Sequence, residues 1–211
     1  TFLTASTDAP IGGSGNTIPT AVDTNLKALG QALPSQEAAA HHGTYGVHTI
    51  FGRLPATGEL FANLDTVTGG WGATAEDDGA FPLRSNAHGD VPDIPVEMQE
   101  ALYPFILLSK ALRPDSGGAG RRRGGLGTLK EYRITAPCRI SLKFERSQCP
   151  PWGLNGGHAG QTGFVDMIRP DGETVRAWKG TFALGAGDRL LIASAGGGGY
   201  GPPHEREIER V

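Results

Sequence analysis

The residues best suited to chemistry lie together in Arg84-Ser85-Asn86-Ala87-His88-Gly89-Asp90. The imidazole of His88 can shuttle a proton near neutral pH, and the Asn86 amide can donate to an oxygen on which negative charge develops. Asp90 or Glu97 can orient the ring. The competing reading is a loop histidine bonded only to backbone. His41-His42 and His48 have no Cys or carboxylate at ligand spacing, so no metal is assigned to the chain. Thr1 could act as an N-terminal nucleophile with its own amine as base, but nothing downstream supplies a supporting pattern, and a trimmed chain explains it as well.

Three glycine clusters offer a second kind of chemistry, near Gly69-Gly70, from Gly117 to Gly127 and from Gly196 to Gly201. Peptide N–H groups unobstructed by side chains can take a carboxylate, a phosphate or a carbonyl oxygen. On that ground Gly69, Gly70, Asp90, Ser116, Gly117 and Gly118 are the candidate substrate-binding residues. No cluster carries a phosphate-loop or dinucleotide fingerprint. The alternative role of these glycines is to form tight turns and close chain packing. Arg121-Arg122-Arg123 can hold an anion or a partner's carboxylates, or form a solvated surface.

Regular elements must position these groups. Ile18, Val22, Leu26, Leu29 and Leu33 recur at helical spacing from Thr17, with Pro34 as a stop. Val47 to Leu54 and Leu60 to Val67 read as strands joined by Pro55-Ala56-Thr57-Gly58. Residues 69–93 show no period, and such a long irregular stretch is usually functional. Asp93 is placed to cap a short helix through Met98 to Leu102, with Pro95 in its first turn. Beyond Arg113 the chain alternates apolar and polar residues over 128–135, 139–145, 164–168, 174–178, 181–184 and 189–194, with Asp171-Gly172 as a hairpin turn. The expectation is an α+β fold, with one or two short helices in the N-terminal half and a mainly antiparallel β C-terminal half carrying glycine-rich loops. A division into two lobes, 1–112 and 113–211, is allowed by this change of character.

Composition narrows the function classes. The 211 residues include 33 Gly and 15 Pro, which makes long helices scarce, while 38% hydrophobic and 19% charged residues describe a chain that folds. A net charge of −3 argues against nucleic acid as a partner. No apolar run approaches the roughly 18 residues of a membrane span. Two cysteines without framework spacing point to a reducing, cytoplasmic setting.

Read in order, Gly69-Gly70-Trp71-Gly72-Ala73, Asn86-Ala87-His88, Pro95-Val96-Glu97 leading to Tyr103-Pro104, Arg113-Pro114-Asp115-Ser116-Gly117-Gly118-Ala119-Gly120, Arg123-Gly124-Gly125-Leu126-Gly127, Pro150-Pro151-Trp152-Gly153-Leu154 and residues 196–201 form a succession. It closely resembles the C-terminal part of the hydantoinase B subunit family, which includes B-like regions of 5-oxoprolinase and of acetone and acetophenone carboxylases. The resemblance covers nearly the whole chain but only the last third or so of a usual member. It implies an N-terminal portion carried on another polypeptide or removed, and a hydantoinase A-like partner that binds ATP with Mg2+. It further implies phosphorylation of an amide or enolate oxygen of a small-molecule substrate, followed by hydrolysis or carboxylation. Asn86, His88 and Glu97 match the polar residues of the family's central motif, and the resemblance implies that they are catalytic. A non-catalytic assembly subunit that shapes a partner's active site is the alternative.

Overall fold

The computed structural model describes residues 17–33, 36–88 and 92–210. Helix α1 spans Thr17–Gly30 and α2 Val96–Leu102. Nine strands follow the order β1 Val47–Arg53, β2 Leu60–Asp65, β3 Phe105–Leu112, β4 Thr128–Ile134, β5 Cys138–Lys143, β6 Phe164–Ile168, β7 Thr174–Ala177, β8 Lys179–Leu184 and β9 Arg189–Ala193. They form two antiparallel sheets, β2-β1-β5-β8 and β3-β4-β9-β6-β7. Both sheets draw strands from either side of Arg113. The α+β expectation therefore holds, and eight of the nine strands fall where the sequence reading places them. β3 is absent from that reading because its run Phe105-Ile106-Leu107-Leu108 does not alternate.

The sheets meet through two cross-strand rows. In one, Ile50 lies opposite Ile140 and Ile140 opposite Phe182. In the other, Leu107, Tyr132, Leu190, Met167 and Val175 lie side by side across five strands. Both rows belong to one buried cluster with Phe105, Ile134, Leu142, Phe144 and Ile192, so the two inner faces share one core. Each large side chain removed from water there contributes about 1.5–3 kcal/mol.

Beside the sheets stands a bundle of extended, glycine-rich segments built around residues 196–201. The N–H groups of Gly196 and Gly199 donate to the carbonyls of Gln161 and His158, those of Gly197 and Tyr200 to Gly125 and Arg122, and those of Gly198 and Gly201 to Ala40 and Leu154. The segments at 158–161 and 122–125 are thus each met by residues three apart, the period of a polyproline-II helix, which makes no internal hydrogen bonds and bonds only outward. Glycine is required by close approach. A Cβ on Gly197 would lie 1.8 Å from the Trp71 carbonyl oxygen, and one on Gly70 would lie 1.8 Å from that of Gly125. The glycine clusters are therefore mainly internal packing, and their amides are largely consumed by one another.

Helix α1 forms where its apolar period predicts, but it presents the opposite face. Pro19, Asp23 and Gly30, spaced four and seven apart, are buried, whereas Ile18, Leu26, Leu29 and Leu33 are exposed. Asp93 does not cap α2. Pro95 holds the N-cap position with no side-chain bond, and the Asp93 carboxylate is engaged elsewhere.

Candidate functional site

Asp23, buried on the inner face of α1, organises a polar cluster against the glycine bundle. Its Oδ2 accepts from Arg146 Nη2 at 2.8 Å and from the His41 backbone N–H at 3.2 Å; its Oδ1 accepts from Asn86 Nδ2 at 2.7 Å and lies 3.3 Å from His41 Nδ1. Arg146 stands over the Trp152 ring, 4.6 Å from its centroid. The His41 ring packs on Trp71, with centroids 4.9 Å apart, and Trp71 Nε1 donates to the Arg84 carbonyl at 2.7 Å. The segment leading into the turn is thereby fixed from two sides.

The turn itself is held by local bonds. His88 N–H donates to Ser85 O at 3.0 Å, Tyr45 Oη donates to Ala87 O at 3.1 Å, and the His88 ring stacks on Tyr45 with centroids 3.9 Å apart. Partial burial, and then the charge of Arg84, lower the His88 pKa below the usual histidine value, so the ring is neutral at pH 7. Two buried atoms at the turn, Asn86 Oδ1 and His88 Nδ1, have no hydrogen-bond partner among the described residues. Buried polar atoms are usually satisfied, and an ordered water, a ligand or a partner group can supply the missing bond.

A charge network braces the segment from below. Arg84 Nη2 meets Asp93 Oδ1 at 2.6 Å, tying together the two ends of the segment that contains Asn86 and His88. Lys130, buried on β4, lies 2.9 Å from Asp65 Oδ2 and 3.4 Å from Asp93 Oδ2, and Lys110 also pairs with Asp93. Burial pushes the Asp93 carboxyl up, but the Lys110 hydrogen bond and the Lys130 charge outweigh it and hold the group below its usual range. Burial, with help from the Lys130 and Arg84 charges, pulls the pKa of buried His48 downward against the opposing charge of Asp65, 3.8 Å away.

The residues expected from sequence are only partly brought together. Asn86 and His88 share the turn. Glu97 is exposed in the first turn of α2 and has no hydrogen bond or ion pair to either of them among the described residues. Asp90 and Thr1 lie outside the described residues. The amides of Gly69, Gly70 and Gly118 are taken by the carbonyls of Leu83, Ala195 and Gly197, and buried Ser116 Oγ donates to Arg113 O and accepts from Gly127 N–H. The picture of bare glycine amides awaiting an anion is thus corrected at these positions; Gly117 of this set lines an open cleft. Asp23, His41, Tyr45 and Arg146 were not legible as site residues, because each owes its place to contacts far away in sequence. No group of three or more His, Cys, Asp or Glu side chains arranged to hold a metal occurs among the described residues. Both cysteines are free, Cys138 buried and Cys149 exposed, and no described helix is long and apolar enough to cross a membrane.

Comparison with known proteins places the chain. The ATP-dependent caprolactamase from Pseudomonas jessenii superposes on 87% of it with a TM-score of 0.76 and 26% identity, and the matched part is 33% of that chain. The nucleotide-free structure of acetone carboxylase shares the fold, with a TM-score of 0.71 and 22% identity over 86% of this chain and 29% of that one. An uncharacterized protein of Methanocaldococcus jannaschii is 34% identical across all of this chain, which spans 36% of its relative's length. The hydantoinase B/oxoprolinase profile matches residues 1–203, and the chain belongs to that family.

Proposed function

We propose that this chain is part of an ATP-dependent enzyme that opens a cyclic amide, with the Asn86–His88 turn facing the reacting group. The observation that carries the reading is the likeness to the ATP-dependent caprolactamase over 87% of the chain. The turn fits such a role, since it leaves one amide oxygen and one imidazole nitrogen buried and unsatisfied. Because Asn86 Nδ2 is committed to Asp23, the free Oδ1 is suited to accept from a substrate N–H. Neutral His88 is suited to take a proton from an attacking water.

ATP, held with Mg2+ on a hydantoinase A-like partner, would supply activation of the amide oxygen by phosphorylation. The glycine bundle is scaffold in this reading, since its amides are satisfied internally. The chain spans about a third of the relatives reported above, so the remainder of a B-like fold, on this or a separate polypeptide, completes the particle.

The test is turnover by the assembled enzyme. Hydantoin, 5-oxoproline and caprolactam should each be supplied with ATP while ADP and ring-opened product are followed, with acetone plus bicarbonate as a separate arm. ATP-coupled ring opening of at least one cyclic amide is expected. Carboxylation of acetone without any ring opening would replace hydrolysis by carboxylation, and turnover in neither arm would overturn the proposal.

A further inference from the structure

An open cleft of about 540 Å³ lies at the edge of the glycine bundle, lined by Pro114, Asp115, Gly117, Ala119, Arg123, Leu126, His158, Ala159 and Gln161. It shares no lining residue with the Asn86–His88 turn, and its volume suits a small molecule. Its polar side chains are presented on rigid backbone. His158 N–H donates to Ala119 O at 2.7 Å, Gln161 N–H to Ser116 O at 2.8 Å, and Arg123 O accepts from Gly79 N–H at 2.8 Å.

Their functional ends are unspent. The side chains of Asp115, His158 and Gln161 have no hydrogen-bond or ion-pair partner among the described residues. The Arg123 guanidinium is near enough to Asp78 to help lower its pKa, but both Asp78 oxygens are hydrogen-bonded to Arg206, at 2.8 and 2.7 Å. Asp115 holds a left-handed backbone at φ 54°, a conformation that Asp adopts at little cost, which fixes where its carboxylate leaves the chain.

A cation, two further polar side chains and a carboxylate around the cleft are complementary to a molecule with opposite charges at its two ends. We propose that this cleft binds a linear amino acid, its carboxylate against Arg123 with help from His158 and Gln161, and its ammonium against Asp115. Guanidinium is the side chain best matched to a carboxylate. Hydrolytic opening of a lactam yields one new carboxylate and one new amine on a single chain, so the ligand class matches the product of a cyclic-amide hydrolase. That assignment to product rests on the function proposed above, whereas the binding itself does not.

Direct titration of the complete polypeptide, without ATP or substrate, tests the site. The probes are 6-aminohexanoate and L-glutamate, with hexanoate and inorganic phosphate as comparisons. Saturable binding of at least one amino acid, tighter than hexanoate, is expected. Arg123→Ala should weaken it at least tenfold and Arg123→Lys less. Asp115→Asn, which tolerates the left-handed backbone, should abolish the advantage over hexanoate while leaving hexanoate binding unchanged. No saturation by either amino acid at roughly ten-millimolar concentration, affinity untouched by Arg123→Ala in a variant with native circular dichroism, or preference for phosphate would each overturn the proposal. Enzyme without ring-opening activity that still binds 6-aminohexanoate through Arg123 would remove the product assignment and leave the site.

Discussion

Asn86 Nδ2 donates to Asp23 Oδ1 at 2.7 Å, joining a surface turn to the buried face of a helix 63 residues earlier in the chain. The same carboxylate neutralises Arg146, whose side chain is only 5% exposed, and caps the His41 backbone. Fold and candidate site are therefore secured by one group, and a lesion at Asp23 should be felt in both.

Asp23→Asn keeps the shape but leaves Arg146 buried without its counter-charge. Removing one partner of a buried pair typically costs about 3–5 kcal/mol, and the remaining amide oxygen recovers part of that. A loss of roughly 2–4 kcal/mol in urea denaturation is expected, with Asn86→Ala losing less than half as much. Equal losses for the two variants would show that Asp23 acts only through Asn86.

His88 is the residue on which the chemistry can be tested most cleanly, because its ring touches the fold mainly through Tyr45. His88→Ala in the assembled enzyme should lower turnover at least tenfold while the particle elutes unchanged. Unchanged turnover would take His88 out of the site.

How much of this was readable in advance follows from the range of each interaction. The strands β4 to β9 and helix α1 are local patterns, and residue alternation or period located them. The orientation of α1 was not, because the apolar stripe of Leu26, Leu29 and Leu33 is exposed while Asp23 is buried by partners at positions 41, 86 and 146. The glycines were recognised as places of close approach. What approaches them, the carbonyls of segments distant in sequence, depends on pairing between segments that no single stretch reveals. Asn86 and His88 stand out as candidates by residue type alone, whereas their anchors, Asp23 and Tyr45, do not.

The bundle gives a sharp contrast between two glycines. At Gly197 an added methyl would sit 1.8 Å from a backbone oxygen, whereas Gly58 has φ 72° and open space around its Cβ position. Gly197→Ala should destabilise by more than about 4 kcal/mol or prevent folding, and Gly58→Ala by about 1 kcal/mol from its left-handed backbone alone. Thermal unfolding of the two variants side by side checks this, and a mild Gly197→Ala would mean that the bundle can spread.

Stability should fall on mild acidification. Burial lowers the His42 pKa from 6.5 to about 4, and His48 and His88 are shifted in the same direction. With the folded pKa below the unfolded one, the unfolded chain binds more protons, so stability rises with pH across this window and is lost as pH falls from 6.5 toward 4. The His42 contribution is about 3 kcal/mol over that range. Denaturant midpoints measured at pH 7, 6, 5 and 4 should show the slope, and His42→Gln should flatten it.

The Arg84–Asp93 pair closes the segment that bears Asn86 and His88, and it is the part of the charge network whose loss should be felt in catalysis more than in folding. Asp65 and Lys130 remain paired at 2.9 Å without it, so the buried centre of the network survives. Because the Asp93 carboxyl is held below its usual range, its contribution is present above the unfolded pKa near 4 and disappears only as pH falls through the folded value. Asp93→Asn should therefore reduce kcat several-fold at neutral pH with a smaller change in KM, while the slope attributed to His42 between pH 6.5 and 4 stays as it is. Equal loss of stability and turnover, with the acid slope altered as well, would reduce the pair to a structural brace.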